Sequence, residues 1–464
     1  MSAHKLQIVA AQAFERDTPF RMPFRFGVMT LRAAPQAFMS VQVRDQATGR
    51  EAVGQSAELM VPKWFDKRPE LSPDDTVDQL RRSVTSAVKL SLDQPALTAV
   101  EHAWQLDARQ AGALPDENGL VRGFGPALMA KAMLDALGQL QTLSFHDVVR
   151  SNAMGLTADH LPPDLDGLDM AHFLAQLQPQ ASISFRHTVG LLDPLTEQDL
   201  EQPLNDGLPE SLDQVIRTYA PQYFKIKVSG DMDADIRRLV AIADVLQMMP
   251  GYRITLDGNE QYSSPEEFTR LLDELDRRPE LARLREAILF IEQPIHRDRA
   301  LQQPLGALAQ RVPLLIDESD ADLDSFLRGR DCGYLGVSSK ACKGLYRSLL
   351  NKARTLHWRG GDYFMSAEDL TTQAGLGVQQ DLALASLLGL THVERNGHHF
   401  VQGMQGAGAQ EMDAFARQHP GLYRRDEHGL FLRIEGGTLD LSSLDKPGFA
   451  SGVALDRCSL RPLT

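Results

Sequence analysis

The chain has 464 residues, of which 43% are apolar and 24% charged. These values are typical of a globular protein and exclude a disordered chain, and the length accommodates a barrel of about 250 residues with a smaller second domain. The net charge of -14 argues against nucleic acid and acidic membrane surfaces as partners. The three cysteines have no C-x-x-C spacing, which fits a reducing compartment. The N-terminus does not resemble a signal peptide, and no apolar run approaches the roughly 18 residues of a membrane span, so we expect a cytoplasmic protein.

The first part of the chain predicts an α+β lobe. Alternating apolar residues at 37–43, followed by a turn at 47–49, predict a β-hairpin. The segments 72–100 and 127–156 are rich in Leu, Ala and Met at helical spacing. A loop rich in proline and aspartate follows, after which the pattern changes, so we assign residues 1–178 to a capping domain.

Short apolar runs separated by helical patterns follow from residue 182. Eight strands are predicted, at 182–188, 223–228, 253–256, 288–291, 314–316, 334–337, 363–365 and 392–394. Strict alternation of strand and helix implies a parallel sheet, and eight such units without a G-x-G-x-x-G motif favour closure into a barrel. The predicted fold is α/β: a TIM-like (β/α) barrel of the modified (β/α)7β type at 179–405, with the α+β cap before it. Residues 406–464 are expected to pack back on the cap.

Charged residues terminate successive predicted strands. In chain order they are Lys225, Lys227, Asp257, Glu292, Asp317 and Lys340. Active sites of parallel barrels lie at the carboxyl ends of the strands, so we expect these side chains to converge. A single strand-end carboxylate is more often a helix cap or an ion-pair partner, and a single lysine a solvated rim charge. Five successive strand ends with such residues favour a shared function instead.

The residue types indicate the chemistry. Lys225 and Lys227 share one face of a strand, and their mutual repulsion predicts a lowered lysine pKa and an amine that can act as a base. Three carboxylates on consecutive strands suit Mg²⁺, or Mn²⁺, and the absence of Cys and His from the set argues against zinc.

Other polar residues are secondary candidates. Asn259 lies two residues after Asp257, so its side chain would point to the same side and could reach the metal or its water. Glu318, directly after Asp317, could support the metal ligands. Glu368 follows the seventh strand, where it could meet substrate, although the segment 366–369 also resembles a helix cap. His398 and His399 are expected to be solvated loop residues.

Together these motifs resemble the enolase superfamily, and within it the muconate-lactonising and mandelate racemase-like group. The matching segments are KIK at 225–227, LDGN around Asp257, IEQP around Glu292, IDES around Asp317 and SSKACKG around Lys340, with RMPFRFG at 21–27, the Trp64 region and DKPGFASGVALD near Lys446 outside the barrel. The resemblance covers nearly the whole chain.

The resemblance implies specific roles. Asp257, Glu292 and Asp317 would bind Mg²⁺, Lys227 and Lys340 would be the acid/base groups on the two faces of the substrate, and Lys225 would hold its carboxylate. A lysine base and a metal-stabilised ene-diolate are known chemistry of this superfamily.

The sequence also departs from the family pattern. The sixth-strand segment of the family commonly reads K-x-x-K-x-G-G, whereas the segment from Lys340 to Leu345 is one residue shorter and lacks the second glycine. Lys343 is therefore a rival to Lys340. No histidine ends the seventh strand, so the His-Asp base of mandelate racemase-type members is absent.

The expected function is Mg²⁺-dependent removal of the α-proton of a small-molecule carboxylate, in a racemase, epimerase or cycloisomerase. A dehydratase of the same superfamily is an alternative. From other classes, the alternatives are an aldolase with a Schiff-base lysine and an inactive barrel that serves as a binding module. We also expect a homo-oligomer.

Overall fold

The computed structural model describes residues 4–27 and 29–463, and its first part is an antiparallel sheet backed by helices. The elements are β1 (Leu6–Phe26), β2 (Met29–Asp45), β3 (Glu51–Leu59), α1 (Pro73–Leu92), α2 (Ala99–Ala113), α3 (Gly119–Gln141), α4 (Phe145–Arg150) and α5 (Met170–Gln176). The predicted hairpin is confirmed as β2 and β3, whereas the sequence pattern does not predict β1, the longest strand.

Helix α3 packs tightly on the sheet, and this contact holds the capping domain together. A Cβ atom at Gly54 of β3 would lie 2.0 Å from the carbonyl oxygen of Ala132, so only glycine permits this approach. Within the interface, the buried Lys131 donates to Ala57 O at 2.7 Å and pairs with Glu58. The apolar residues of α3 are buried on nearly all its sides because it lies between the sheet and helices α1 and α2.

The second part is a closed barrel of eight parallel strands, as predicted. The elements are β4 (Ser182–Val189), α6 (Leu212–Tyr219), β5 (Tyr223–Lys227), α7 (Met232–Leu246), β6 (Arg253–Asp257), α8 (Pro265–Arg277), α9 (Ala282–Glu286), β7 (Ile288–Glu292), α10 (Arg297–Ala300), β8 (Leu314–Ile316), α11 (Ser325–Cys332), β9 (Gly336–Ser339), α12 (Leu345–His357), β10 (Phe364–Ala367), α13 (Leu376–Leu387), β11 (His392–Arg395) and α14 (Gly397–Phe400). Closure is shown by β4, which pairs in parallel with both β5 and β11. All eight predicted strands are present, with shifts of one or two residues at their ends.

The last part of the chain contacts both preceding parts. Its elements are α15 (Ala409–Gln418), β12 (Tyr423–Asp426), β13 (Gly429–Leu432), β14 (Thr438–Asp440) and β15 (Arg461–Pro462). Strand β15 pairs with β1 of the cap, and β14 pairs in antiparallel fashion with β4 of the barrel. The domain limits 1–178, 179–405 and 406–464 remain predictions. Across 4–27 and 29–463, no helix combines the length and the apolar character needed to cross a membrane.

Candidate active site

The turns after β6 and β7 place the central carboxylates. A Cβ atom at Gly258 would lie 2.7 Å from Pro294 Cα, so this glycine allows the two turns to pack against each other. Gln293, with a positive φ of 34°, accepts hydrogen bonds from the backbone N–H of Asp317 at 2.8 Å and of Ser319 at 3.1 Å. The ends of the third, fourth and fifth barrel strands are therefore fixed relative to one another.

The strand ends surround one small cavity of about 20 Å³. Its polar wall includes Lys225, Lys227, Asp257, Asn259, Asp317 and Lys340, and the cap covers it with Phe24, Phe26, Leu31, Val61 and Trp64. Lys227 ends the second barrel strand and Lys340 follows the sixth, so three of the eight strands lie between them in either direction. The two lysines consequently lie on opposite sides of the barrel mouth.

Lys225 lies among four carboxylates. Its Nζ is 2.9 Å from Asp257, 2.8 Å from Glu292, and 3.0 Å from both Glu368 and Glu394. Burial opposes the charged amine, but these carboxylates outweigh burial and raise the pKa of Lys225 well above its usual value. The lowered lysine pKa expected from the sequence is therefore wrong for Lys225.

The two opposed lysines each pair with one candidate metal ligand. Lys227 Nζ lies 2.6 Å from Asp257 Oδ2, and Lys340 Nζ lies 2.6 Å from Asp317 Oδ2. Burial also opposes the charge of Lys340, but Asp317 outweighs burial and raises the pKa of Lys340. The indole ring of Trp64 lies 4.2 Å from Lys340 Nζ and covers this ion pair.

The chemistry of the carboxylates fits a hard divalent cation, although their present spacing does not. As the side chains stand, no three or more His, Cys, Asp or Glu residues in the described ranges are placed to hold a metal ion. The ammonium group of Lys225 lies 2.9 Å from Asp257 and 2.8 Å from Glu292. The buried Asn259 Oδ1 has no hydrogen-bond partner within the described residues, and all the donors are oxygen atoms, as Mg²⁺ prefers.

Lys343, the predicted rival of Lys340, points elsewhere. Its Nζ pairs with Asp320 at 2.9 Å and donates to Ser338 Oγ at 2.7 Å and to Asp317 O at 3.2 Å. Lys343 does not line the cavity that Lys340 lines. The geometry therefore favours Lys340 as the second lysine of the site and gives Lys343 a supporting position behind Asp317.

Two secondary candidates lie beside the candidate metal ligands. Asn259 donates from its backbone N–H to Asp257 Oδ1 at 2.8 Å and from Nδ2 to Glu318 Oε1 at 3.3 Å. Burial and the nearby carboxylates raise the pKa of Glu318, although Lys67 opposes this increase. Both side chains are buried, which agrees with roles that support the carboxylate ligands.

Glu368 belongs to the charged cluster and caps no helix. It pairs with the fully buried Arg186 and accepts a hydrogen bond from Ser366 at 2.6 Å. No helix begins at 366–369, because the next helix is α13, so the capping interpretation is wrong.

Sequence reasoning missed Glu394 and Arg186. Glu394 accepts hydrogen bonds from Thr188 Oγ1 at 2.6 Å and from Asn396 Nδ2 at 2.8 Å, and it also binds Lys225. Glu394 ends the eighth strand, so extending the strand-end pattern to the last strand would have found it. Arg186 carries a charge within an apolar strand, which was the only available signal.

A second buried network supports the loops after the last three strands. Arg395 donates to Asp369 at 3.1 Å and pairs with Asp381 of α13. Asp381 accepts a hydrogen bond from the backbone N–H of Ala341 at 2.9 Å. Because Ala341 follows Lys340, this network fixes the backbone that carries the second lysine.

The cap segment 61–68 is bound to the barrel rim by charged side chains. Arg297 donates to the carbonyl oxygens of Trp64 at 2.8 Å and Phe65 at 3.0 Å, and it also binds Glu260 at 2.8 Å. Lys67 pairs with Glu260 and lies 3.4 Å from Glu318. These contacts hold Trp64 over the cavity.

Three histidines form a buried cluster outside the barrel. The ring centroid of His187 lies 5.5 Å from that of His398 and 5.0 Å from that of His399. All three are buried, so the expectation that His398 and His399 are solvated is wrong. Burial lowers the pKa of His187 to about 3, and burial together with the neighbouring charges lowers the pKa values of the other two well below the usual range.

The comparisons with known proteins agree with this architecture. The family described as "Enolase C-terminal domain-like" matches residues 208–350, which contain the second to sixth barrel strands and all the candidate lysines and metal ligands. This segment of the barrel is similar to that family, and the match covers about a third of the chain. No curated protein matches the chain closely enough to serve as a relative.

Solved structures similar to this chain have low sequence identity. An enolase from Bradyrhizobium with magnesium and mandelic acid has a TM-score of 0.61 at 15% identity, covering 98% of this chain and 97% of its own. A dipeptide epimerase from Enterococcus faecalis with Mg and L-Leu-L-Tyr has 0.62 at 12%, covering 96% and 99%. A 2-chloromuconate cycloisomerase from Rhodococcus opacus has 0.60 at 16%, covering 98% of both chains. At such identities the likeness establishes the fold alone.

Proposed function

We propose that this protein is an enzyme that removes the α-proton of a carboxylate substrate, in a racemisation, an epimerisation or a cycloisomerisation. The observation that carries the proposal is the placement of Lys227 and Lys340 on opposite sides of one cavity with Asp257 and Asp317. Two opposed amines allow one to take a proton from one face of a carbon while the other delivers a proton to the opposite face. Cycloisomerisation or elimination needs only one of them as a base.

Asp257, Glu292 and Asp317 would hold Mg²⁺ in this proposal. The bound cation supplies positive charge that stabilises the second negative charge of a deprotonated carboxylate. The oxygen donors and the buried, unpartnered Asn259 Oδ1 beside them support this assignment. In the arrangement described above, burial and neighbouring carboxylates raise the pKa of Glu292, a sign that negative charge there is incompletely compensated.

Lys225 has partners that allow it to leave the proposed metal ligands. Besides Asp257 and Glu292, it binds Glu368 and Glu394, which the cation does not require. We expect Lys225 to keep these two partners when Asp257 and Glu292 turn to the cation. Its ammonium group would then remain at the cavity and bind the carboxylate of the substrate.

Aromatic side chains of the cap cover the two lysines and separate them from solvent. Phe24 and Trp64 lie over Lys227 and Lys340, at 5.9 Å and 4.2 Å from ring centroid to Nζ. A cavity of about 20 Å³ admits no carboxylate substrate, so part of the cap must move before binding. Its return would exclude water and strengthen the electrostatic interactions in the site.

Other functions fit the residues less well. A Schiff-base aldolase needs one lysine nucleophile and gives no purpose to three carboxylates at consecutive strand ends. An inactive binding module has no need of two buried lysines aimed at one cavity. A dehydratase uses the same residues, and it differs from the preferred reactions in the substrate rather than in the groups described here.

The test is proton exchange at the α-carbon in D₂O. The protein with Mg²⁺ is incubated with a panel of amino-acid derivatives, dipeptides and sugar acids, and deuterium incorporation is measured for each enantiomer. We expect Lys227→Ala to abolish exchange from one configuration and Lys340→Ala exchange from the other, while Asp257→Asn weakens the response to Mg²⁺. Lys343→Met is the matched control and should retain exchange at both faces.

Two outcomes contradict the proposal. Exchange that survives both lysine substitutions would remove the assigned bases. Trapping of a substrate on the protein by borohydride, with activity unaffected by a chelator, would instead support the aldolase.

A further inference from the structure

One hydrogen-bond acceptor at the cavity has no role in the proposed reaction. Asn396 follows the eighth barrel strand, is 2% exposed and lines the cavity together with the two opposed lysines. Its backbone N–H donates to Asp369 Oδ2 at 2.9 Å, and its Nδ2 donates to Glu394 Oε1 at 2.8 Å. Asn396 Oδ1 is buried without a hydrogen-bond partner among the described residues. Buried amide oxygens are normally satisfied, so this oxygen indicates a donor that a bound molecule supplies.

The orientation of the Asn396 amide is fixed by Glu394. Burial opposes the ionised form of Glu394, but Lys225 and the two opposed lysines outweigh burial and hold the pKa of this carboxyl well below its usual range. An ionised carboxylate only accepts hydrogen bonds, so the amino group of Asn396 must face it. Turning the amide over would place two oxygen atoms against each other, and Oδ1 therefore keeps its position.

The carboxylates beside Asn396 already have partners. Glu394 accepts hydrogen bonds from Lys225 Nζ at 3.0 Å and from the backbone N–H of Asp369 at 2.9 Å. Asp369 itself accepts from Arg395 at 3.1 Å and from the backbone of Asn396. Neither carboxylate is free to pair with an ammonium group of a ligand. The acceptor that remains at this end of the cavity is therefore neutral.

The strand order places Asn396 across the cavity from the candidate metal ligands. Those carboxylates belong to the ends of the third, fourth and fifth strands, whereas Asn396 follows the eighth. The proposed function, on which this inference rests, puts the substrate carboxylate at the metal ligands and the two faces of the α-carbon toward Lys227 and Lys340. Of the two remaining substituents of that carbon, one then points to the seventh and eighth strands and the other to the cap.

The described residues of the cap present only apolar and aromatic side chains to the cavity. Phe24 and Phe26 alternate with Arg25 along β1, so the two rings point inward and the guanidinium group does not line the cavity. The cover is completed by Leu31, Val61 and Trp64. A second carboxylate, or the hydroxyl groups of a sugar, would lose hydration there without gaining a partner.

We propose that the substrate is a monocarboxylate whose α-carbon carries a neutral N–H or O–H donor and an apolar group, and that Asn396 Oδ1 accepts the hydrogen bond from this donor. Uncharged N-acyl derivatives of apolar amino acids and 2-hydroxy acids with apolar side chains have this chemistry. Free amino acids and dicarboxylates lack it, because they bring a second charge to a place where the described residues offer no free counter-charge.

The first test compares ligands that differ in the donor. Isothermal titration of the full chain with Mg²⁺ uses N-acetylphenylalanine against O-acetyl-3-phenyllactate, in which an oxygen atom replaces the N–H group. The second pair is 3-phenyllactate against 2-fluoro-3-phenylpropanoate, in which fluorine replaces the hydroxyl group. We expect Kd to be at least about tenfold lower for the donor ligand in one pair, because the replacement leaves the buried acceptor unpartnered. The pair that shows this preference identifies the donor as N–H or O–H.

Two further ligands test the charge. Phenylalanine carries an ammonium group in place of the neutral donor, and N-acetylaspartate carries a second carboxylate in place of the phenyl ring. Each should bind at least about tenfold more weakly than the better of the two donor ligands, because its extra charge must be desolvated.

A pair of variants assigns the preference to Asn396. Asn396→Ala should remove the difference in Kd between the donor ligand and its matched compound. Thr188→Val is the control, because it removes the hydrogen bond of 2.6 Å to the same oxygen of Glu394 and keeps Asn396. This control should retain the preference for the donor, whereas a merely structural role of Asn396 predicts the same preference in both variants.

Proton exchange in D₂O, measured on the same compounds, separates this inference from the proposed reaction. A donor preference in binding without exchange at the α-carbon would contradict the proposed reaction and support the role of Asn396. The inference is overturned by the absence of saturable binding of both donor ligands, by equal binding within both pairs, or by a donor preference that Asn396→Ala retains.

Discussion

Two buried sets of titratable side chains lie on opposite faces of the same barrel strand. Along β4, Arg186 and Thr188 contact the carboxylates inside the barrel, whereas His187, between them, packs against histidines outside. Burial disfavours the charged form of lysine and of histidine alike. Inside the barrel four carboxylates reverse that effect for Lys225, while outside it no carboxylate of the described residues pairs with the three imidazole rings.

The difference shows that partners, rather than depth, determine which buried groups carry charge. The lysine and carboxylate cluster retains charges that can move protons or bind ions. The histidine cluster is neutral and contributes packing, and the adjacent Phe400 of α14 lies with its ring centroid 4.4 Å from that of Phe24 of the cap, in a tilted arrangement. The following predictions test this contrast, beginning with the largest effect.

Replacing the central cation should have the largest effect on stability. Lys225→Met leaves Asp257, Glu292, Glu368 and Glu394 without their shared partner, and breaking such a buried pair costs about 3–5 kcal/mol. Urea unfolding at neutral pH measures the free energy of unfolding. Lys89→Met, at an exposed position, is the control and should change stability by less than about 0.5 kcal/mol. An equally small change for Lys225→Met would contradict the central role of this amine.

The histidine cluster should make stability depend on pH in a predictable direction. An unfolded histidine takes up a proton below a pKa of about 6.5, whereas His187 stays neutral in the folded protein down to about pH 3. The contribution of neutral His187 to the free energy of unfolding is thus complete above pH 6.5 and decreases as the pH falls, by about 1.4 kcal/mol per pH unit. We expect His187→Phe to gain about 2 kcal/mol relative to wild type between pH 6.5 and 5.

Unfolding curves at several pH values check this prediction. The exposed His172 provides the control, because His172→Gln removes an imidazole that is not buried. Parallel profiles for His187→Phe as well would show that His187 already carries a charge in the folded protein.

Disrupting the network behind Lys340 should reduce stability by a smaller amount. It should also affect proton exchange at one face of the substrate more than at the other. Asp381→Asn removes the charge that binds Arg395, at a cost of about 1–2 kcal/mol. If the proposed reaction occurs, exchange from the Lys340 face should fall more than exchange from the Lys227 face. Asp331→Asn, at an exposed position, is the control. Equal losses at both faces would assign Asp381 a general structural role.

The smallest effect is expected at the rim. Side-chain exposure of Lys67 is 17%, and Lys67→Met should cost less than about 1 kcal/mol because partly exposed ion pairs contribute little. The loss of its contacts with Glu260 and Glu318 should nevertheless free the segment 61–68. Faster amide hydrogen exchange in this segment, with unchanged exchange in α3, is the expected result. Unchanged exchange would show that Arg297 alone holds the segment.

The sequence predicted the barrel well because parallel strands buried on both faces appear as continuous apolar runs. The strand β1 was missed because prolines and charged residues, such as Arg16, Asp17 and Pro19, interrupt its apolar pattern. Its long pairing with β2 depends on tertiary contacts that the local pattern does not contain.

The residues of the candidate site also divide into those that the sequence predicted and those that it did not. Lys227, Asp257 and Asp317 follow apolar strands directly, so their convergence could be predicted from the order of strands. Arg186 and Asp381 act through partners that only barrel closure brings near, and a helix position such as that of Asp381 carries no signal of its contact with Ala341 N. The cover of Lys340 by Trp64 likewise depends on how the cap docks.

The pairing of late strands with early ones affects how this protein can be synthesised. Strand β15 completes the edge of the sheet that contains β1, and β14 lies beside the first barrel strand. While the ribosome is still translating the region before residue 438, both edges are exposed and can associate with other nascent chains. Contacts between residues so distant in sequence also slow folding, so we expect the newly made chain to depend on chaperones until its last strands have emerged.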